Sequence, residues 1–184
     1  MKDFLSEQEF VDLVLSLAQD MMAARDQLTE LDSAIGDGDL GVTVTLGFGA
    51  VQAALESNVP SAPKSTLRSC GSAFAEHAPS TFGTLLATAF ISAARANADW
   101  DTIGPAEAAV MFQAAVAGVQ QRGKASLGDK TMLDAMIPAA EVFSRKAGQG
   151  RTLAECTAAA LAAAHEGADR TAAMLAQAGR SSWL

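Results

Sequence analysis

The fold class of this chain depends on one segment, Leu31-Asp32-Ser33-Ala34-Ile35-Gly36-Asp37-Gly38-Asp39-Leu40-Gly41. Its second half matches the pattern G-x-G-x-x-G, which in dinucleotide-binding proteins follows a β-strand. The residues that precede it here, from Ser6 to Thr29, have helical periodicity instead. The two aspartates inside the pattern would also repel a pyrophosphate held only by backbone N–H groups. The segment therefore argues against a dinucleotide-binding α/β fold.

The same segment carries three carboxylates and three glycines within eleven residues. Mg²⁺ prefers oxygen ligands and keeps coordination positions for water and phosphate, so Asp32, Asp37 and Asp39 fit a magnesium–phosphate site. A calcium-binding EF-hand that began at Asp37 is excluded, because its fifth and twelfth positions would be Gly41 and Phe48. A glycosidase pair is disfavoured, since nothing nearby distinguishes an acid from its partner. An alternative stays open in which Asp32 caps a helix and the other two aspartates form Asp-Gly turns.

Composition indicates a single all-α domain. The chain has 184 residues, enough for one substantial core, and no shift in composition marks a second domain over residues 1–184. Hydrophobic residues make up 49% of it and aromatic residues only 5%. Such an alanine-rich composition lets helices approach one another closely, so we expect seven or eight packed helices.

Gly and Pro residues divide the chain into these predicted helices. Capping boxes open the first and the last of them, at Ser6 with Glu9 and at Thr152 with Glu155. The β-branched residues over 42–46 alternate in a way that also fits a strand. The predicted helices cover 7–27, 42–55, 65–76, 80–97 and 105–123, a segment from Thr131 that kinks at Pro138, and a final segment that breaks at Gly167 before continuing to Ala178.

The charge of the chain excludes several function classes. Its formal net charge is -8, from 13 basic and 21 acidic residues, so no basic surface for nucleic acid or anionic membrane is expected. The start of the chain is too acidic for a signal peptide, and the weakly apolar run over 81–94 is too short to span a bilayer. We therefore predict a cytoplasmic protein. Cys70 and Cys156 lie far apart and are expected to be buried free thiols.

Two further segments have features of phosphate-binding sites. Residues 123–134, Gly-Lys-Ala-Ser-Leu-Gly-Asp-Lys-Thr-Met-Leu-Asp, contain two glycines that would let the backbone wrap a ligand before a helix start. Taken alone, the segment fits an ordinary helix connection with Asp129 as N-cap better. Residues 78–84, Ala-Pro-Ser-Thr-Phe-Gly-Thr, form a hydroxyl-rich helix start that suits phosphate.

Together these segments resemble the nucleotide-binding L subunit of dihydroxyacetone kinases, which also occurs as the C-terminal kinase domain of single-chain enzymes. The resemblance covers nearly the whole chain and is most specific over 31–39 and 123–134, with support from Gly179-Arg180-Ser181-Ser182. It implies an antiparallel bundle or barrel of about eight helices. One end of that bundle would hold two Mg²⁺ ions and a nucleotide, ADP or ATP.

The resemblance also assigns roles to residues of this chain. Asp32, Asp37 and Asp39 match the metal ligands of the family. The positions that match its nucleotide contacts are Leu40, Gly41, Val42, Thr43, Ser80, Thr81, Gly123, Met132 and Arg180. The subunit would donate a phosphoryl group to a triose or tetrose hydroxyketone that a separate K-type subunit binds, so no catalytic residue is assigned on this chain. A phosphotransferase-system protein would be a further partner if resident ADP is rephosphorylated, and homodimerisation is left open.

This chain departs from the family pattern in three places. Leu40 stands where the family usually has a histidine, so contact there is expected through the backbone. His77-Ala78-Pro79-Ser80-Thr81-Phe82 replaces a glycine-rich turn of the family. Relatives continue past Leu184 with segments that help to close the nucleotide site, so we expect that lid to be absent or supplied elsewhere. Two other functions stay open: a nucleotide-binding regulatory module without its own kinase activity, and a helical metal-binding protein without nucleotide.

Overall fold

The computed structural model describes residues 3–58, 60–96 and 100–178. Over these residues the chain forms eight α-helices, one 3₁₀ turn and a two-residue ladder, which confirms the predicted all-α fold. In the ladder β1 pairs antiparallel with β2, with Leu5 opposite Ile103. The elements are β1 (Leu5–Ser6), α1 (Glu7–Ala23), α2 (Arg25–Ser33), α3 (Leu40–Ser57), α4 (Pro63–His77), α5 (Thr81–Ala96), β2 (Thr102–Ile103), α6 (Pro105–Gly123), α7 (Leu133–Gly148), α8 (Leu153–Arg170) and the 3₁₀ turn (Thr171–Ala173).

Apart from α2, which continues α1 toward the start of α3, consecutive helices run antiparallel, and small residues set their spacing. On α6, Gly118 lies against Ser92 of α5, whereas Gly123, further along α6, lies against Leu85, which comes earlier in α5. The helices α3, α5 and α7 therefore begin at one end of the bundle, which we call the acidic end. The opposite end, where α1, α4, α6 and α8 begin, carries the ladder and is called the ladder end.

The main core lies among α1, α3, α4 and α5. Phe74 of α4 is fully buried at its centre, edge-on to Phe48 at a centroid distance of 4.9 Å and 5.9 Å from Phe90. Such aromatic pairs add about 0.5–1.5 kcal/mol beyond the area they bury. Gly47 makes the packing possible, because a Cβ there would overlap the Phe74 ring. Two smaller clusters join α5, α6, α7 and α8.

Both cysteines are free and buried, as predicted. Cys70 lies in the main core with no exposed surface. Burial raises the pKa of its thiol to about 12. At neutral pH this side chain is therefore a small apolar core residue rather than a nucleophile.

The first predicted helix is two helices in the structure. Instead of ending near Gln27, it breaks at Ala24, where ψ is 3°, and resumes as α2 through Ser33. No Gly or Pro marks the break, and α2 has no buried residue, so apolar periodicity carries no sign of it. Asp32 therefore lies on a helix, and only residues 34–39 form the loop.

The prediction for the last helix was wrong at Gly167. The helix α8 runs through this residue to Arg170 and then changes to a 3₁₀ turn, so it does not continue to Ala178. Gly167 is buried, and a Cβ there would overlap the carbonyl oxygen of Asp134 on α7. The glycine is needed for a close helix crossing, not for a break. Pro138 lies inside α7 without ending it.

One helix, α3, is long and apolar enough to cross a membrane by length and composition, with a mean hydropathy of 1.2 over 18 residues. The weakly apolar run over 81–94 lies in α5 instead. In the structure α3 packs against α1, α2 and α4, and Val44 and Val51 have no exposed surface. The buried helix of a core passes the same test.

Candidate functional site

Three carboxylates converge at the acidic end. Asp32 projects from the last turn of α2, and Asp37 and Asp39 lie on the loop that leads into α3. One side-chain oxygen of each lies within 4.8 Å of the others, with Asp32 half-buried and the other two exposed. Carboxylates at this separation repel one another unless a cation lies between them. Their oxygens form a donor set of the kind that Mg²⁺ prefers.

Glycines allow the chain to fold around these carboxylates. A Cβ on Gly36 would overlap the Asp32 carboxylate, so no other residue fits there without moving Asp32. Gly38 has φ of +74°, a left-handed conformation that side chains other than glycine rarely adopt. The loop conformation and the position of the clustered carboxylates therefore both depend on Gly36 and Gly38.

The first turn of α3 faces the ligand site with open backbone donors. Leu40 donates its N–H to Oδ2 of Asp32 at 3.3 Å, and Thr43 donates to the carbonyl of Asp39. Within the described residues the N–H groups of Gly41 and Val42 have no acceptor, as is usual for the first turn of a helix. Helix N-termini with open N–H groups favour anions. The cluster and the helix start thus form one site for a cation and an anion together.

Asp32 also caps a helix, as in the alternative to a metal site. Its carboxylate accepts the N–H of Leu40 at the start of α3. Asp39 holds the N-cap position of α3 but makes no side-chain capping bond. The side chain of Leu40 is half-buried and packs against the main core. Backbone contact with a ligand at Leu40 stays a prediction, with which this packing is compatible.

The helix start at Ser80 and Thr81 also lies at the acidic end. Ser80 caps α5, because its Oγ accepts the N–H of Gly83 at 3.0 Å. Thr81 is the first residue of α5 and is exposed. Gly83 lets the chain turn tightly here, since a Cβ on it would overlap the carbonyl oxygen of Ala78. The hydroxyl of Ser80 is thus bonded within the first turn of α5, whereas the side chain of Thr81 is exposed to solvent.

The loop between α6 and α7 carries the other two described positions. Gly123 is the last residue of α6, and Met132 is the N-cap residue of α7, where it packs with the cluster around Leu133. Asp129 is not the N-cap that the alternative reading proposed, since its Oδ2 accepts the N–H of Ser126 within the loop. Arg180 lies outside the described residues.

Sequence reasoning missed the residue that organises this loop. Asp134 is only 1% exposed, and its two carboxylate oxygens accept the N–H groups of Gly128 at 2.6 Å and Thr131 at 2.8 Å. An aspartate in the first turn of a predicted helix was the available signal, but it fits an ordinary dipole-favoured position. The start of α7 is also less open than expected, because Leu133 donates its N–H to Oγ1 of Thr131.

Comparison with known proteins identifies the family of this chain. The model of the DAK2 domain family matches residues 34–184. The ADP-binding subunit of PEP-dependent dihydroxyacetone kinase 2 from Listeria innocua is 33% identical over 187 residues, covering 98% of this chain and 85% of that protein. The corresponding subunit from Escherichia coli K12 is 31% identical, covering 98% and 86%. L-erythrulose 1-kinase of Mycolicibacterium smegmatis is 33% identical over 91% of this chain but only 30% of that protein.

The fold is also that of a solved kinase structure. The dihydroxyacetone kinase of C. freundii superposes with a TM-score of 0.73 at 23% identity, covering 95% of this chain and 30% of the kinase chain. A second structure of that kinase, in complex with AMP-PNP and Mg²⁺, gives a TM-score of 0.70. The chain described here belongs to the DAK2 domain family, and the relatives named above are kinases or subunits of kinases.

Proposed function

We propose that this chain is the nucleotide-binding subunit of a two-component kinase for dihydroxyacetone or a related triose or tetrose hydroxyketone. The observation that carries the proposal is the convergence of Asp32, Asp37 and Asp39 beside the open N–H groups of α3. Phosphoryl transfer depends mainly on positioning and on neutralising phosphate charge, so a donor subunit needs no covalent residue. The proposal treats residues 1–184 as one nucleotide-binding domain.

The three aspartates would hold magnesium, two ions by analogy with the family. When bound, Mg²⁺ neutralises phosphate charge that the carboxylates would otherwise repel. The C. freundii kinase, which shares the fold, binds AMP-PNP and Mg²⁺. Residues of this chain would then orient the nucleotide: the backbone over 40–43 with Ser80 and Thr81 at its phosphates, and Gly123, Met132 and Arg180 around it.

The proposed resident nucleotide is ADP. Both relatives that cover 98% of this chain are named ADP-binding subunits of PEP-dependent kinases. A phosphotransferase-system protein would then rephosphorylate ADP on this subunit. Nucleotide retained after purification, chased with labelled ATP, distinguishes the two donors: exchange points to free ATP as donor, and retention of unlabelled ADP points to rephosphorylation in place.

A separate K-type subunit would supply the hydroxyketone. Large apolar side chains lie exposed around the aspartates, which is unusual for a surface that meets only water. They are Leu31 (64% exposed), Ile35 (57%), Val42 (44%) and Leu46 (51%). A partner subunit that docks over the acidic end would cover them and bring its substrate to the nucleotide.

Calorimetry tests the nucleotide and metal assignments together. ADP is titrated into the protein with Mg²⁺ and with a chelator, and into the variant Asp37→Asn/Asp39→Asn. Affinity should require Mg²⁺ and fall by about 100-fold or more in the variant, since it loses two of the three anionic ligands. The variant Asp20→Asn/Asp101→Asn changes the net charge equally and should bind as the wild type does. Tight magnesium-dependent binding that survives in Asp37→Asn/Asp39→Asn would remove the metal assignment.

Reconstitution tests the kinase activity. Phosphorylation of the hydroxyketone should appear only when a K-type subunit and a phosphoryl donor are both added. Nucleotide binding without any such activity would favour the regulatory module instead. Failure of every nucleotide to raise the melting temperature in Mg²⁺ would favour a metal-binding protein without nucleotide.

A further inference from the structure

The loop over 124–132 holds a conformation that its sequence does not favour. Lys124 and Lys130 have φ angles of 52° and 58°, both in the left-handed region that lysine rarely occupies. Gly128, between them, has φ of +98°. Residues persist in such conformations when the surrounding structure holds them there.

The bonds that hold this loop come from Asp134. Its carboxylate is buried in the first turn of α7, with Oδ1 2.6 Å from the nitrogen of Gly128 and Oδ2 2.8 Å from the nitrogen of Thr131. One side chain therefore joins the middle of the loop to its end. A carboxylate that accepts backbone N–H groups makes shorter and stronger bonds than a neutral acceptor.

Contacts from α8 and from the segment after it hold the same region from outside. Gly167 brings the backbone of α8 against the carbonyl of Asp134. Beyond α8, the N–H of Gln177 donates to the carbonyl of Asp129 at 3.0 Å, and Nζ of Lys130 donates to the carbonyl of Met174 at 3.2 Å. The loop is therefore held on both sides, although much of it is exposed at the acidic end.

We propose that Asp134 is a positioning residue for the nucleotide. By holding Gly128 and Thr131, its carboxylate keeps the 124–132 loop in a single conformation between Gly123 and Met132, the two positions assigned to the nucleotide. This inference rests on the proposed function. Asp134 itself is buried beneath the loop and acts only through the backbone that it holds.

The test uses the full chain and the variant Asp134→Asn, which keeps the size of the side chain but replaces one accepting oxygen by an amide NH₂. ADP affinity in Mg²⁺ is measured by calorimetry, and amide hydrogen exchange is followed at Gly128 and Thr131. Loss of one such bond should weaken ADP binding about tenfold or more. Exchange at one or both amides should rise.

Two controls separate positioning from general destabilisation. Val11→Ala removes a buried side chain of α1 far from the loop and should lower stability while ADP affinity stays within about twofold. Gly128→Ala adds a methyl group with no atom within 4 Å but strains the backbone at φ +98°, so it should weaken ADP binding with Asp134 intact. If Asp134→Asn does not fold, Gly128→Ala decides.

The outcomes distinguish this inference from the proposed function. Wild-type ADP affinity in Asp134→Asn or, where that variant does not fold, in Gly128→Ala would overturn the positioning role alone. An equal loss of affinity in Val11→Ala would overturn it too. If the wild-type chain itself does not bind ADP in Mg²⁺, the proposed function fails and the positioning role fails with it.

Discussion

Two sets of aspartates at the acidic end are used in opposite ways. Asp134 is buried, and both of its oxygens accept backbone N–H groups. Asp37 and Asp39 are exposed, and their oxygens converge with one from Asp32. A buried carboxylate is tolerated only when its hydrogen bonds are made, so Asp134 stabilises the native chain by itself. Clustered carboxylates repel one another, and a bound cation removes that repulsion.

Sequence context alone does not separate a structural aspartate from a ligand-binding one. Asp37 precedes a glycine in a turn, and Asp134 follows a glycine-containing loop into a helix. The structure separates them: two backbone donors lie within 2.8 Å of the Asp134 oxygens, whereas one oxygen each of Asp37 and Asp39 lies within 4.8 Å of the other and of Asp32. The following substitutions test this distinction, beginning with the largest expected effect.

Asp134→Ala should cost about 3 kcal/mol of unfolding free energy, because it leaves two N–H groups without their acceptor. Urea denaturation in metal-free buffer measures the loss. Asp39→Ala is the matched change in the exposed cluster and should cost nothing under the same conditions. Equal losses in the two variants would erase the distinction.

Ligand binding should make the clustered aspartates contribute to the stability of the chain. At a concentration of ADP and Mg²⁺ about 100 times the dissociation constant, the wild-type chain should gain about 2.7 kcal/mol of stability. Asp37→Asn/Asp39→Asn should lose that gain while remaining at least as stable as the wild type in metal-free buffer, because less carboxylate repulsion remains. Thermal melts with and without ligand measure both quantities. A variant that is already unstable without metal would show that the cluster has a structural role.

Gly167→Ala should destabilise the chain by about 2 kcal/mol, because its methyl group overlaps the α7 backbone at Asp134 and forces the helices apart. Gly148→Ala is the control: a Cβ there meets no atom within 4 Å, so its effect should be slight. Chemical denaturation compares the two. If Gly167→Ala leaves the free energy of unfolding unchanged, the α7–α8 crossing does not support the loop.

The smallest expected effect concerns Glu155, an exposed carboxylate with a purely local role. The backbone N–H of Thr152 holds the pKa of Glu155 below its usual value. Because the folded-state pKa is depressed, its stabilisation is present above the ordinary pKa and disappears as the pH falls through the folded-state pKa. Melting temperatures of wild type and Glu155→Gln should therefore differ slightly at neutral pH and converge in acid.

Most of the architecture could be predicted because local signals agree with it. Ser6 with Glu9 and Thr152 with Glu155 form the predicted capping boxes, and Pro105 and Gly123 begin and end α6 as expected. The helix over 40–57 formed despite its β-branched residues, because packing against its neighbours outweighs a weak propensity.

Two of the misses, at Gly167 and at the break before α2, involve contact between residues distant in sequence. The role of Gly167 depends on the backbone of α7, and the break before α2 lies beside its contact with α3, where Gly41 packs against Arg25 and Thr29. The convergence of Asp32, Asp37 and Asp39 could be predicted because they are close in sequence. The bonds of Asp134 to Gly128 and Thr131 could not, because the loop conformation that permits them is unfavourable for its own residues.

The two-residue ladder has a consequence for how the chain folds. By pairing Leu5 with Ile103, it closes the first five helices into a ring that contains nearly all of the main core. The entropy of closing so long a loop grows only slowly with its length, so a short ladder supported by the buried Ile103 suffices. The ladder thus closes the part of the chain from β1 to β2, which carries the three clustered aspartates. The part from α6 to α8, which carries Asp134, lies outside this closed segment. A ligand that bridges the acidic end would cross-link the two parts.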